Sequence, residues 1–139
     1  MGKVVYCKMN IKIFKTPKQV SDKLSSYIIS NYILSKKNIA ISGGSTPIML
    51  FEEISKKLKK KEKIESNFYW IDERCVFPDS KESNFKTAND YLFKKIKIDK
   101  KNIYRIKGEN NPDDEQKRYT KLLKNNLESI NKLPSIDLS

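Results

Sequence analysis

Two short polar segments of this 139-residue chain carry residue types that could bind or transform a ligand, and the first runs from Ser42 to Pro47. Its sequence, Ser-Gly-Gly-Ser-Thr-Pro, combines glycines that let a backbone approach a ligand with hydroxyls that donate hydrogen bonds. A helix start here would point free amides at an anion such as phosphate. The alternative is a tight turn with an ordinary Ser/Thr cap. Neither a Walker motif nor GxGxxG is present, which argues against nucleoside triphosphate hydrolysis and dinucleotide binding.

The second segment is Asp72-Glu73-Arg74, which directly follows a strongly apolar run. Two carboxylates and a guanidinium at the end of a strand could orient sugar hydroxyls or pair with a phosphate. The alternative is a structural ion pair at the entrance of a loop.

Three further candidates have plain structural explanations. Ser83-Asn84 has the form of a helix N-cap, and a single strand-end cation such as Arg105 is usually solvated or structurally paired. Cys75 stands beside an arginine, but without a histidine no general base of the usual kind can activate it, so an ordinary semi-buried thiol is expected.

The cysteine and histidine content excludes whole classes of site. The chain has no histidine and two cysteines, Cys7 and Cys75, which form no CxxC pair. Histidine-based catalytic triads and the usual zinc ligand sets are therefore excluded within this chain, and no metal is expected.

The net charge of +12 comes mainly from lysine, since only three of the 29 basic residues are arginine. Nucleic-acid readers favour arginine for bidentate contacts, so scattered lysine indicates a solvated surface and no nucleic-acid partner. The densest run, residues 56–61, lies where a helix should end, a position that favours cations. A basic nucleic-acid-binding module with steep salt dependence remains an alternative.

Hydrophobic periodicity alternates between strand and helix along the chain. Thr16-Pro17 has the form of an N-cap and first helical residue. Strands are predicted over residues 3–14, 38–42, 67–71 and 102–106, with a further strand opening at 136–138. Helices are predicted from 16 to about 36, from 45 through 58, over 84–96, and from 112 to about 131. The predicted packing face of the second helix consists of Met49, Leu50, Phe51, Ile54 and Leu58. This order predicts a Rossmann-like parallel α/β sheet with helices on both faces, in a single domain over residues 1–139.

The apolar stretches are too short for a membrane span, which needs ~20 residues. The N-terminus is dotted with lysines and lacks the apolar core of a secretory signal. A cytoplasmic location and no membrane partner are therefore expected.

Four segments together resemble the 6-phosphogluconolactonase family in order and spacing: SGGSTP at 42–47, WIDERCVFP at 70–78, SNF at 83–85 and NIYRI at 102–106. The resemblance runs from about Phe14 to Ser139. Related glucosamine-6-phosphate deaminases share the glycine loop and an Asp-Glu pair, but Arg74 and the Cys-Val-x-Pro continuation resemble the lactonase branch. A deaminase-like enzyme remains an alternative.

The resemblance implies hydrolysis of 6-phospho-D-glucono-1,5-lactone to 6-phosphogluconate in the pentose phosphate pathway, without a cofactor. It implies that the sugar phosphate is contacted by Gly43, Gly44, Ser45 and Thr46, and that Asp72 and Arg74 shape the pocket, with Arg74 binding anionic groups. It also implies a histidine general base in a glycine-rich segment after the strand that opens at Ile136.

No residue of this chain matches that base, because the chain has no histidine. We therefore expect the N-terminal portion of a longer lactonase-like domain, truncated and inactive alone, with no catalytic residue of its own. A non-catalytic sugar-phosphate-binding or assembly protein is the alternative. An incomplete sheet would leave an unpaired edge and exposed apolar helix faces, so self-association is expected.

Overall fold

The computed structural model describes residues 11–58 and 62–139, in which strands and helices alternate. The helices are α1 (Pro17–Ile28), α2 (Ile48–Leu58), α3 (Asn84–Tyr91) and α4 (Pro112–Asn126). The strands are β1 (Asn38–Ile41), β2 (Lys63–Ile64), β3 (Asn67–Trp70), β4 (Lys97–Ile98), β5 (Ile103–Tyr104), β6 (Ser129–Ile130) and β7 (Leu133–Pro134). A π-helical turn covers Ile29–Ile33, and 3₁₀ turns cover Phe93–Lys95 and Lys100–Asn102.

Parallel strands form the central sheet in the order β1–β3–β5. Ile39 lies opposite Phe68, which lies opposite Ile103, so the carboxyl ends of the strands share one edge. On the other side of β1, Leu138 forms a parallel bridge with Ile39. This arrangement confirms the predicted parallel sheet, while the strand expected to open at residues 136–138 is represented by this single bridge.

Both faces of the sheet are covered by helices, as predicted. Phe68 and Trp70 belong to a core cluster that also contains residues of α2 and α3, and Ile28 of α1 packs against it. Ala40 and Tyr69 pack on the opposite face with Leu127, which follows α4. Because successive strand side chains alternate between faces, neighbouring residues of β3 fall in different clusters.

The predicted helix starts at two proline-containing segments are confirmed. Thr16 Oγ1 accepts a hydrogen bond from the amide of Gln19 at 3.2 Å, and Pro17 is the first residue of α1. Pro112 begins α4, and acidic residues fill its first turn, where they face the positive end of the helix dipole.

Two predicted features fall partly outside the described residues. The strand predicted over residues 3–14 lies outside them as far as residue 10, and residues 11–14 form no strand. The lysine run at 56–61 also leaves the described part after Leu58, while Lys56 and Lys57 occupy the last turn of α2, as expected from the helix dipole.

The packing face of α2 and the length of α3 depart from the predicted pattern. On α2, Phe51, Ile54 and Leu58 are buried as predicted, but Met49 is 40% exposed, so its assignment to the packing face was wrong. Helix α3 ends at Tyr91, and a 3₁₀ turn replaces the rest of the helix predicted to residue 96.

Two other helices end earlier than predicted, and left-handed residues follow their ends in the chain. The helix predicted to about Lys36 ends with the π-helical turn at Ile33, and Lys36, three residues later, is left-handed with a φ of 53°. Helix α4 ends at Asn126 because Leu127 is extended, with φ −110° and ψ 145°. The β6–β7 hairpin replaces the predicted last turn, and its turn residues Asn131 and Lys132 have φ values of 52° and 67°.

A buried tyrosine of α4 satisfies the backbone at the end of β3. Tyr119 Oη accepts a hydrogen bond from the Trp70 amide at 2.8 Å, and it lies 3.1 Å from the carbonyl oxygens of Trp70 and Tyr104, to which it can donate. Burial raises the pKa of Tyr119 to about 12, so the hydroxyl keeps its proton at neutral pH. Helix α4 is thereby joined to the carboxyl edge of the sheet.

Replacing Tyr119 with phenylalanine should lower the free energy of unfolding by about 1–3 kcal/mol, because the buried Trp70 amide loses its partner. Urea unfolding followed by circular dichroism measures this change. The control is Tyr91→Phe, which removes a hydroxyl that makes no hydrogen bond with the described residues and should change stability by less than about 0.5 kcal/mol. Equal effects of the two substitutions would contradict the role given to Tyr119.

Candidate functional site

The three strands of the central sheet deliver three loops to one edge. Residues 42–47 follow β1, residues 71–74 follow β3, and residues 105–108 follow β5. In parallel α/β sheets ligands bind at this edge. All six residues that the resemblance assigns to substrate binding lie on the first two loops. Gly43 is half-buried, and the other five are exposed: Gly44, Ser45, Thr46, Asp72 and Arg74.

A buried asparagine at the start of α3 joins the first two loops. Asn84 is 2% exposed, and its Nδ2 donates to the carbonyl oxygen of Asp72 at 3.1 Å and to Asp72 Oδ2 at 3.0 Å. On its other side Asn84 packs against Gly43, where an added Cβ would lie 2.4 Å from Asn84 Cα. The glycine is therefore required by the close approach of α3 to the loop after β1.

The predicted N-cap at Ser83 is confirmed, since its Oγ accepts from the amide of Lys86 at 3.1 Å. The contacts of its neighbour Asn84 with both loops were not predicted. A Ser-Asn pair before a helix has the same sequence form whether or not its amide reaches distant residues, so the sequence held no signal for this role.

Glu73 is committed to the backbone rather than to a ligand. Its carboxylate accepts hydrogen bonds from the amides of Arg74 at 2.8 Å, Asn84 at 2.7 Å and Phe85 at 2.8 Å, and from Ser83 Oγ at 3.1 Å. A carboxylate at a helix N-terminus satisfies amides that have no partner within the helix. Of the three charged residues after β3, only Asp72 and Arg74 therefore face the solvent with their charged groups available.

The backbone of Arg74 is held from the side of β5. An added Cβ on Gly108 would lie 2.0 Å from the carbonyl oxygen of Arg74, so the two loops are in direct backbone contact. The Arg74 side chain is exposed and makes no ion pair with any residue that the structure describes. The next residue, Cys75, is an exposed free thiol, which corrects the expectation that it is semi-buried.

Arg105 is engaged in structural contacts, in agreement with the structural explanation given from the sequence. Its guanidinium contacts the Glu109 carboxylate at 2.6 and 2.9 Å and lies 5.2 Å above the ring of Phe85. That ring in turn lies 5.7 Å from the ring of Trp70 in the core. Hydrogen bonding to Arg105 lowers the pKa of Glu109 from its ordinary value of 4.5 to about 2, so the pair is charged at neutral pH.

A buried carboxylate orders the start of α4 beside this pair. Glu115 accepts hydrogen bonds from the Lys107 amide at 2.8 Å, from Asn110 Nδ2 at 2.9 Å and from Arg118 Nε at 2.7 Å. Burial opposes ionisation of Glu115, but these hydrogen bonds outweigh it, and the pKa of Glu115 is lowered. The loop after β5 is thus fixed by charged groups that face inward.

Acid should weaken the fold through Glu109. Because its folded-state pKa lies below its ordinary value, the ionised form stabilises the fold at neutral pH, and this contribution is lost as the pH falls from about 4.5 toward 2. We expect Glu109→Gln to be less stable than the natural chain in urea at pH 7, with a smaller difference at pH 3. The control Glu82→Gln, at an exposed carboxylate without an ion pair among the described residues, should show little difference at either pH. A difference that grows in acid would contradict this prediction.

The described residues contain no group of three or more acidic or sulfur side chains that could hold a metal ion. Within the same residues, no helix is both long enough and apolar enough to cross a bilayer.

Comparison with known proteins gives matches over most of the chain. A family model described as glucosamine-6-phosphate isomerases/6-phosphogluconolactonase matches residues 15–139. The chain is 37% identical over 114 residues to the 6-phosphogluconolactonase of Haemophilus influenzae, which covers 80% of this chain and 49% of that protein. It is 29% identical over 101 residues to the 6-phosphogluconolactonase of Treponema pallidum, covering 72% of this chain and 42% of that protein.

Solved structures share the fold. The crystal structure of devB protein matches with a TM-score of 0.82 at 36% identity and covers 91% of this chain and 55% of that chain. The 6-phosphogluconolactonase of Trypanosoma brucei matches with a TM-score of 0.76 at 24% identity and covers 94% of this chain and 58% of that chain. At this identity the match shows the fold alone. The chain spans about half the length of the curated relatives it matches. Since the family model covers nearly all of its residues, the chain belongs to the glucosamine-6-phosphate isomerase/6-phosphogluconolactonase family.

Proposed function

We propose that this chain forms the sugar-phosphate-binding part of a 6-phosphogluconolactonase, which hydrolyses 6-phospho-D-glucono-1,5-lactone to 6-phosphogluconate. The observation that carries the proposal is the joining of two exposed loops by Asn84, which holds Gly43 and Asp72 on one edge of the sheet. The curated relatives named 6-phosphogluconolactonase support the choice of reaction.

The chemistry of the two loops suits a phosphorylated sugar. Ser45 and Thr46 offer exposed hydroxyls just before the first residue of α2, where backbone amides favour an anion. Arg74 supplies an exposed guanidinium, which pairs well with phosphate or carboxylate oxygens. Asp72 offers carboxylate oxygens that accept hydrogen bonds from sugar hydroxyls. The net charge of +12 adds a field that attracts anionic metabolites.

Turnover requires a general base that activates water for attack on the lactone carbonyl. The family resemblance implies a histidine for this role, and the chain has no histidine. We therefore infer that these residues bind and orient the substrate, and that the base comes from outside them. The absence of histidine equally favours the alternative of a non-catalytic sugar-phosphate-binding protein.

Isothermal titration calorimetry of the full 139-residue chain with 6-phosphogluconate tests the binding role. We expect saturable binding, weakened about tenfold by Arg74→Gln because one charge-assisted contact to the ligand is lost. The matched control Lys81→Gln removes another exposed cation and should change the affinity less than about twofold.

Absence of binding, or equal losses in the two variants, would contradict the assignment of Arg74. Lactone hydrolysis above the uncatalysed rate in a pH-stat would contradict the inference that the base lies outside these residues. Titration with glucosamine 6-phosphate distinguishes the lactonase from the deaminase-like alternative. The deaminase-like alternative requires that glucosamine 6-phosphate bind at least as tightly as 6-phosphogluconate.

A further inference from the structure

We propose that Asn84 is a positioning residue that orients the carboxylate of Asp72 toward a hydroxyl group of the bound sugar. This inference rests on the proposed sugar-phosphate-binding function. It assigns a role to a residue that lies outside both binding loops and that does not itself contact the ligand.

The hydrogen bonds of the Asn84 amide carry the argument. A side-chain amide has two protons, and Asn84 directs both to Asp72, one to the carbonyl oxygen and one to Oδ2. The first bond fixes the backbone of Asp72 and the second fixes the rotation of its carboxylate. Oδ1 of Asp72 makes no hydrogen bond with the residues that the structure describes, and Asp72 is exposed. The free oxygen is thus presented to the solvent in a fixed direction.

Asn84 is itself held firmly enough to act in this way. Its backbone amide donates to Glu73 Oε1 at 2.7 Å, and its side chain is buried. Its Oδ1 packs at Gly43, where an added Cβ would lie 2.5 Å from that oxygen. Contact with Gly43 thus fixes the Asn84 amide from the side opposite Asp72.

An aspartate at this position could not replace the asparagine. It would set a second carboxylate against Asp72, where like charges repel, and it would remove both donors. An alanine would remove the donors without adding charge, and Asp72 would then rotate freely.

A double-mutant cycle on 6-phosphogluconate affinity distinguishes positioning from a general structural role. We expect Asn84→Ala and Asp72→Ala each to weaken binding about tenfold. The double variant should bind no worse than Asp72→Ala alone, because the two substitutions remove the same interaction with the ligand. The control Ser83→Ala removes the N-cap hydrogen bond of the same helix and one hydrogen bond to Glu73 but makes no contact with Asp72, and it should change the affinity less than about twofold. Asn84→Ser takes the place of Asn84→Ala if the latter does not fold.

Losses that multiply to about a hundredfold in the double variant would overturn the proposal, since independent sites add in free energy. If the natural chain does not bind 6-phosphogluconate, the proposed function fails, and NMR of the ligand-free protein decides the positioning role separately. Backbone amide signals of Gly44, Ser45 and Asp72 should shift or broaden in Asn84→Ala and remain nearly in place in Ser83→Ala. Unchanged signals in Asn84→Ala would overturn the proposal.

Discussion

Substitution of Gly43 by alanine is expected to lower the free energy of unfolding by about 3 kcal/mol, the upper end of the range for overpacked cores. The added Cβ would lie 2.4 Å from Asn84 Cα and 2.5 Å from Asn84 Cβ. A flexible side-chain end could swing away, but these atoms belong to the first residue of α3 and cannot. Relief requires α3 to move, and its amides would then leave the Glu73 carboxylate that caps them.

Urea unfolding measures this loss, and titration with 6-phosphogluconate measures its effect on the site. Binding should fall at least about tenfold, because displacement of α3 also releases Asp72. The control is Ser42→Ala at an exposed position of the same loop, where a smaller side chain creates no overlap. Equal unfolding midpoints for Gly43→Ala and the natural chain would show that the loop is not held against Asn84.

Substitution of Gly108 by alanine should be similarly damaging, from the opposite side of the site. The new Cβ would lie 2.0 Å from the carbonyl oxygen of Arg74 and 2.9 Å from that of Val76, and both are backbone atoms. The loops after β3 and β5 would have to separate, at a cost of about 3 kcal/mol. Because Arg74 would be displaced with its loop, binding of 6-phosphogluconate should weaken as well.

Thermal unfolding of Gly108→Ala beside Lys107→Ala checks this expectation. Lys107 is exposed and adjacent in the chain, so its truncation adds no atom to the loop contact and should leave the unfolding temperature almost unchanged. Limited proteolysis gives a second measure, since separated loops should be cut within residues 71–78 in the Gly108 variant only. Resistance equal to that of the natural chain would count against the backbone contact.

The order of strands and helices could be predicted because hydrophobic periodicity is a local signal. The end of α4 could not, since Leu127 continues the apolar spacing of Leu123 and favours a longer helix. The chain instead turns at Asn131 and Lys132, and the hairpin partner Leu133 lies outside the helical pattern. Met49 fails for a similar reason, because helical spacing does not reveal where the covering sheet ends.

The candidate site could likewise be predicted from the sequence only in part. The glycine loop and the charged triplet were recognisable from residue types, but the separate duties of Asp72 and Glu73 depend on where α3 begins in space. A carboxylate that caps a helix beginning eleven residues later looks the same in sequence as one that faces a ligand. Substrate contact by the six assigned residues and self-association through the sheet edge both stay predictions.

Trp70 gives the protein a built-in optical reporter. It is the only tryptophan of the chain, it is 3% exposed, and its ring packs near Phe85 and Phe93 at 5.7 and 5.8 Å. An indole in such apolar surroundings emits at short wavelength, and it shifts to longer wavelength when water reaches it. Because Trp70 immediately precedes the loop that carries Asp72 and touches the first turn of α3, its emission should follow both unfolding and the movement of that loop, without any label.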